Sequence, residues 1–280
     1  MADAMVRDLH GYGRRRPLAA WPGAARVAVS FVLNYEEGGE RNVLDGDAHA
    51  ENYLVPEVVG LPPIAGRSRI VEDLFEYGSR AGFWRVLRLF EECGLHFTSW
   101  AVGLALKRNP DAGRAMAEAG HEVASHSWRW TDYSGMPEDE ERGHIRQTVA
   151  TIRDICGAPP LGWYTGRYSP NTRRLVMEET ETLYDSDAYN DDLPYWVQVA
   201  GKPRLIIPYA LDTNDFKFAF SPGWIVRRGF LHLSQGRVRP TASRGRARAQ
   251  DDVDWPARTP GRPAGARRCA GTLHGLRPAA

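Results

Sequence analysis

Six ionisable side chains in this 280-residue chain sit where short apolar segments end, and their types suit proton transfer and the binding of an oxygen atom. Glu36 and Glu37 are adjacent. Neighbouring carboxylates oppose each other's ionisation, which raises the pKa of one and helps it take a proton from water. The pair is assigned jointly as the candidate base, because adjacent residues at a strand end point apart unless the loop turns. His126 is the candidate acid, or a donor to a developing oxyanion; the competing reading is a satisfied structural histidine. The planar fork of Arg167 suits a carbonyl or carboxylate, and its competing role is a salt bridge to Asp185 or Asp187. Those two aspartates could equally orient His126 or Arg167.

The elements that must position these residues follow from the pattern. Arg26 to Leu33 is rich in β-branched and apolar residues and reads as a buried strand that stops at Asn34-Tyr35-Glu36-Glu37-Gly38-Gly39. A helix is expected over Tyr77 to Glu92, with Phe83, Leu87 and Phe90 at helical spacing and Gly94 beyond its end. His96 to Val102 reads as a strand. Asn109-Pro110 opens a helix that Gly120 closes. His121 to Ser125 is a short strand, and Pro137 to Cys156 is a long helix with Glu138, Asp139, Glu140 and Glu141 in its first turn. Leu161 to Thr165, Leu183 to Asp187 and Arg204 to Leu211 read as strands, with a helix at Asn171 to Glu179. This alternation predicts an α/β fold with parallel strands, either doubly wound or a (β/α) barrel. All six charged residues then lie at the carboxyl ends of strands. A barrel gathers those ends on one rim, which favours the barrel.

Composition excludes several function classes. Thirty-six Lys plus Arg balance 35 Asp plus Glu, so the whole chain gives no electrostatic argument for nucleic acid or an anionic membrane. No apolar stretch reaches about 18 residues, and Met1 to Arg16 has no apolar core of leader-peptide length, so a cytoplasmic protein acting on a small molecule is expected. Cys93, Cys156 and Cys269 are far apart and form no CxxC pair, which indicates neither a zinc knuckle nor a disulfide framework.

Two segments carry a resemblance. Asn34-Tyr35-Glu36-Glu37-Gly38 resembles the Thr-Phe-Asp-Asp-Gly motif of the polysaccharide-deacetylase superfamily, and Ser125-His126-Ser127-Trp128-Arg129-Trp130 resembles its His-Ser/Thr-x-x-His motif. In metal-dependent members the first aspartate is the base, while the second aspartate and both histidines hold a divalent cation. Here Glu36 and Glu37 stand for the aspartates, His126 keeps the first histidine, and Trp130 replaces the second. An indole offers only a donor and cannot ligate a cation. These alterations are similar to the allantoinase branch of purine catabolism, as are the segments Arg7 to Gly13, Gly162 to Arg167, Tyr184 to Tyr189, Asp191 to Trp196 and Leu211 to Asp215.

The resemblance implies a polysaccharide-deacetylase-type barrel over residues 1–224 and metal-free opening of a cyclic ureide, without any cofactor. It also implies a homo-oligomer. Tyr35, Trp130, Tyr164, Trp196 and Asp215 are the candidate substrate contacts, with Trp130 alternatively simple core. One competing reading is a carbohydrate N-deacetylase needing a divalent metal such as zinc. Another is an inactive product or binding module.

From Ile225 to Ala280 there are twelve arginines, no lysine or glutamate, three aspartates and five prolines, a net of +9, while residues 1–224 carry a net of −8. This tail has no apolar run long enough for a strand, so disorder is expected. Gln250 to Ala257 can be encoded so that a reading one base onward gives Lys-Met-Met-Ser-Thr-Gly-Leu and the start of His, a late histidine motif of the superfamily. The tail is therefore read as a frameshift product and the barrel as incomplete at its C-terminus. Limited proteolysis is expected to trim the purified chain rapidly near residue 225, and a resistant full-length chain would contradict this reading.

Overall fold

The computed structural model describes residues 7–15, 17–55 and 61–216. They divide between two compact units. The larger comprises the described parts of Phe31–Glu91 and His96–Ala210. The smaller has Arg7–Ser30, Glu92–Leu95 and the described residues from Leu211 on, including 3₁₀ turns at Pro22–Ala24 and Leu211–Thr213.

The larger unit is built on a seven-stranded sheet in the order β1-β2-β3-β4-β5-β7-β6. Its strands are β1 (Val32–Tyr35), β2 (Thr98–Ala101), β3 (Glu122–Ser125), β4 (Gly162–Trp163), β5 (Tyr184–Asp185), β6 (Tyr195–Val199) and β7 (Lys202–Ile206). All neighbours are parallel except β6 and β7. The helices are α1 (Arg69–Tyr77), α2 (Phe83–Cys93), α3 (Gly103–Arg108), α4 (Pro110–Glu118), α5 (Glu138–Cys156) and α6 (Thr172–Glu179). The expected α/β fold with a mostly parallel sheet is present. Among the described residues the sheet is open, with β1 and β6 at its edges.

Several elements differ from expectation. The first strand begins at Val32, not Arg26, because Val32 is the first residue with a partner on β2, Thr98. The helix expected from Tyr77 is preceded by α1 and joined to it through a π-helical turn at Gly78–Gly82. The hairpin of β6 and β7 turns through Ala200 and Gly201, both at positive φ, a two-residue turn whose twist matches antiparallel strands. Cys156 is a free thiol, but Cys93 is disulfide-bonded, whereas the spacing of the three cysteines indicated no disulfide framework. Spacing alone did not carry that pairing. The expected boundary near residue 224 and the Arg-rich tail lie outside the described residues.

Strand register sorts the site. Tyr35, Ala101, Ser125, Trp163, Asp185 and Ile206 are paired in one row across six strands, and all are buried. Tyr35 and Ala101 join a core with Phe83, Leu87, Leu106, Met116 and Ile152, while Trp163 packs on Ile145, Leu175 and Val176. This is the helix-facing side. One residue earlier, Asn34, Trp100, Ala124, Gly162, Tyr184 and Leu205 form the row pointing to the other side, where Trp100, Ala124, Tyr164, Tyr184 and Tyr209 cluster.

Gly162 matters for that second side. Tyr184 crosses it so that its hydroxyl reaches Glu122 Oε1 at 2.8 Å, and any Cβ on residue 162 would overlap the Tyr184 ring. Gly162→Ala is therefore expected to lower unfolding free energy by about 1–3 kcal/mol in chemical denaturation; unchanged stability would contradict this packing.

Candidate active site

The next row beyond the strands holds the chemistry. Val102 N–H donates to Tyr35 O at 2.9 Å, His126 N–H to Ala101 O at 2.8 Å and Tyr164 N–H to Ser125 O at 3.0 Å, so the ladder continues past the strand ends. Glu36, His126 and Tyr164 fall on the face opposite Tyr35, Ser125 and Trp163. Glu36 and His126 are two strands apart, roughly 10 Å along the hydrogen-bonding direction, a gap that two facing side chains can close. They do: His126 Nε2 lies 3.2 Å from Glu36 Oε1, with the histidine 3% and the glutamate 13% exposed. His126 Nδ1 is buried and has no hydrogen-bond partner among the described residues. Its ring packs against Tyr164 at 4.9 Å, and Tyr164 stacks on Tyr209 at 4.8 Å while sharing a 3.0 Å hydrogen bond with Tyr189. Burial pushes the Tyr164 phenol far up, so it stays neutral.

The backbone after β3 and β4 is unusual where it meets this couple. Ser127 is a non-glycine residue at φ 62°, a left-handed conformation that persists only where its surroundings hold it. Ser127 N–H donates to Ser125 Oγ at 3.0 Å, and its hydroxyl meets Thr165 Oγ1 at 3.0 Å. Gly166, at φ 77°, leaves no Cβ beside the Tyr164 hydroxyl and His126 Cε1. Its N–H and that of Thr165 donate to the Asp187 carboxylate at 2.7 to 3.0 Å. Asp187 therefore shapes the loop carrying Arg167. Burial, reinforced by the Asp185 charge, pushes its carboxyl up despite these N–H donors.

Glu37 departs from the joint assignment. Alternation turns it away from Glu36, and it lines a cavity of about 260 Å³ with Glu40, Arg67, Glu72, Ser79 and Arg108, a lining that includes neither Glu36 nor His126. Its Oε2 accepts the Glu36 N–H at 3.0 Å, and Gly78 leaves the room that its carboxyl fills. Burial, with the neighbouring Glu36 charge adding to it, pushes Glu37 up to about 7, against backbone hydrogen bonds that favour the ionised form.

Asp185 also departs from expectation. It lies in the helix-facing row and pairs with Arg173 of α6 at 3.0 Å, so it is part of a buried ion pair and does not meet His126. Tyr35 belongs to the same side, with its hydroxyl near Ser79 (3.4 Å) and accepting from Asn109 (3.0 Å), and is core in place of a substrate contact. Trp196 is 66% exposed on the edge strand β6. Its alternation with the buried Val199 sets it outward. Asp215 is exposed and belongs to the smaller unit.

Arg167 has no bond to Asp185 or Asp187. Its guanidinium lies 4.6 Å from the ring of Tyr53 and 4.6 Å from that of Trp130, donates to Trp130 O, and has Glu51 at 4.0 Å. Burial holds its pKa below the usual arginine value, and Glu36 is among the charges that act on it. Trp130 is thus a wall for Arg167. Tyr53, Glu51 and Arg173 were not legible as site residues, since no pattern around them marks a function.

A catalytic zinc is ordinarily held by three protein side chains drawn from His, Cys, Asp and Glu. Among the described residues no such group exists. Glu37 points to the other face and Trp130 offers no ligand atom, so these two positions do not supply the ligands that the metal-dependent pattern has there.

Comparison with known proteins matches residues 66–183 to the polysaccharide deacetylase family. A Schizosaccharomyces pombe protein named for polysaccharide deacetylases is 46% identical over 239 residues, covering 78% of this chain and 74% of its own. The chain belongs to the polysaccharide deacetylase family. The crystal structure of Puue allantoinase is 49% identical, with a TM-score of 0.81, and the match covers 86% of this chain and 80% of that one. A Pseudomonas aeruginosa PAO1 structure, named for the polysaccharide deacetylases, shares 49% identity and a TM-score of 0.81 over 86% of this chain and 81% of its own. Family and fold are therefore those of a hydrolase. No helix among the described residues is long and apolar enough to cross a membrane.

Two stability measurements separate structural acids from the Glu36–His126 couple. Arg173→Met is expected to cost about 3–5 kcal/mol by leaving Asp185 buried and unpaired, and adding Asp185→Asn should recover much of it; additive losses would contradict the pairing. Glu37 binds protons more tightly folded than unfolded, so its contribution is fully present below pH 4.5 and is lost as pH rises to about 7. Glu37→Gln should therefore gain about 2–3 kcal/mol over the native chain at pH 8 and nothing at pH 4. An equal difference at both pH values would contradict the buried, raised carboxyl.

Proposed function

We propose that this chain hydrolyses the ring C–N bond of a cyclic ureide, opening allantoin to allantoate, with Glu36 as the base that activates water. The observation that carries the proposal is the Glu36–His126 couple, 3.2 Å apart on one face of the sheet, with Trp130 in place of a metal-binding histidine. A ring amide carbonyl is attacked by water only if a base removes a proton and the developing oxyanion meets a positive or N–H donor. Glu36 Oε1 faces the His126 ring, which orients the carboxylate, and the carboxylate takes the proton of the attacking water. The new C–O bond forms as the carbonyl oxygen gains charge opposite Arg167, whose planar fork suits such an oxygen. The C–N bond then breaks. The proton taken from water passes to the departing nitrogen, either from Glu36 or through His126, whose two nitrogens can exchange donor and acceptor roles. The product acid ionises beside the arginine.

The high similarity to Puue allantoinase supports this reading. Metal-dependent N-deacetylation of a sugar is the second reading, supported by the family and by the names of other relatives. The two differ in their need for a cation.

Allantoin turnover by the purified 280-residue chain, followed as allantoate formation, is expected to survive a strong chelator. Glu36→Gln and His126→Ala should each lower kcat by about 10²- to 10⁴-fold. Turnover that disappears with the chelator and returns with zinc, or full activity in Glu36→Gln, would overturn the proposal.

A further inference from the structure

Arg167 carries a largely buried charge with a sparse set of partners. Its side chain is 17% exposed, yet among the described residues it makes one hydrogen bond, from Nη2 to the carbonyl of Trp130. The nearest carboxylate, Glu51, stands 4.0 Å away, too far for a hydrogen bond. Glu51 is occupied elsewhere: Oε1 accepts the N–H groups of Asn52 at 3.1 Å and Tyr53 at 2.9 Å, and Oε2 accepts that of Arg41 at 3.4 Å. A buried charge without a bonded counter-charge is expensive, and the remaining N–H groups of the fork are free to serve a ligand.

What holds the fork in place is aromatic. Tyr53 and Trp130 have ring centroids 6.0 Å apart with planes inclined by 48°, and the guanidinium carbon is 4.6 Å from each. The cation thus sits in a notch between two rings. Glu51 fixes the backbone of Tyr53, and Phe75 packs on Trp130 at 6.2 Å, so both walls are braced. Tyr53 is 48% exposed, so the notch opens to solvent beside it.

We infer that Tyr53 and Trp130 are positioning residues that hold Arg167 as a seat for a planar anionic or carbonyl oxygen, the class to which carboxylates and ureide carbonyls belong. The inference rests on the proposed ureide hydrolysis for its catalytic meaning, and the seat itself can be observed without turnover. A cation fixed in this way supplies positive charge where an oxyanion develops, and a flexible arginine would supply less of it.

The test uses the full chain with ¹⁵N-labelled arginine and nitrate as a planar anion probe. Nitrate is expected to shift the Arg167 guanidinium signals saturably. Tyr53→Leu should weaken nitrate binding by about fivefold or more and lower kcat for allantoin with little change in KM, while Tyr53→Phe restores both. Trp130→Phe should retain nitrate binding and Trp130→Leu should lose it, with the thermal midpoint showing that each variant is folded. Native nitrate affinity in folded Tyr53→Leu, or no response of Arg167 to nitrate in the native chain, would overturn the inference. If nitrate behaves as expected but allantoin is not hydrolysed, the seat stands and the ureide reading falls.

Discussion

Side chains at the end of a β-strand continue to alternate between the two faces of the sheet, and after β1 this alternation divides an adjacent pair of glutamates between two environments. Glu36 continues the face of Asn34 and meets His126; Glu37 continues the face of Tyr35 and enters a cavity lined by residues of the helical side. The two remain linked because the Glu37 carboxyl accepts the Glu36 N–H. One glutamate is thereby left facing the histidine, and the other braces the turn that presents it. Gly78, in a π-helical turn, makes the room that this arrangement needs.

The same division runs across the sheet. On the helix-facing row Asp185 is neutralised by Arg173, and the apolar members Tyr35, Ala101, Trp163 and Ile206 fill the core. On the opposite side, polar atoms of Asn34, Trp100 and His126 lack hydrogen-bond partners among the described residues. Buried polar atoms are normally paired, and the open Nδ1 of His126 lies on the ring that faces Glu36. Arg167 belongs to this second group in character: its charge is held by aromatic faces and one carbonyl, with no acid within hydrogen-bonding distance.

Much of this was legible in the sequence, for physical reasons that differ by residue. The parallel α/β sheet followed from apolar segments alternating with helical periodicity, and Glu36 and His126 were legible because each directly follows such a segment. Asp187 stood out for the same reason, although its contacts are backbone N–H groups and neither His126 nor Arg167. Asp185 was misjudged because a residue at a strand end belongs to one face or the other, and the pairing register that decides between them is tertiary information. Tyr35 was misjudged in the same way. Tyr53 was invisible: it acts through the face of its ring, and no local spacing announces a cation notch assembled from segments near residues 53, 130 and 167. β7 overlaps the strand expected from Arg204, but β6 and its pairing with β7 escaped notice because the turn carries alanine and glycine in place of the stronger Asn-Gly or Asp-Gly signal.

The proposed ureide hydrolysis needs Glu36, His126 and Arg167 to act on one planar ligand without a cation. It is tested most directly by a crystal structure of the native chain soaked with hydantoin, a planar cyclic ureide. The ring is expected beside Tyr164 and His126, with one carbonyl oxygen on the Arg167 fork and Glu36 facing that carbonyl carbon. Hydantoin bound away from these residues, or a cation ligated by His126, would contradict it.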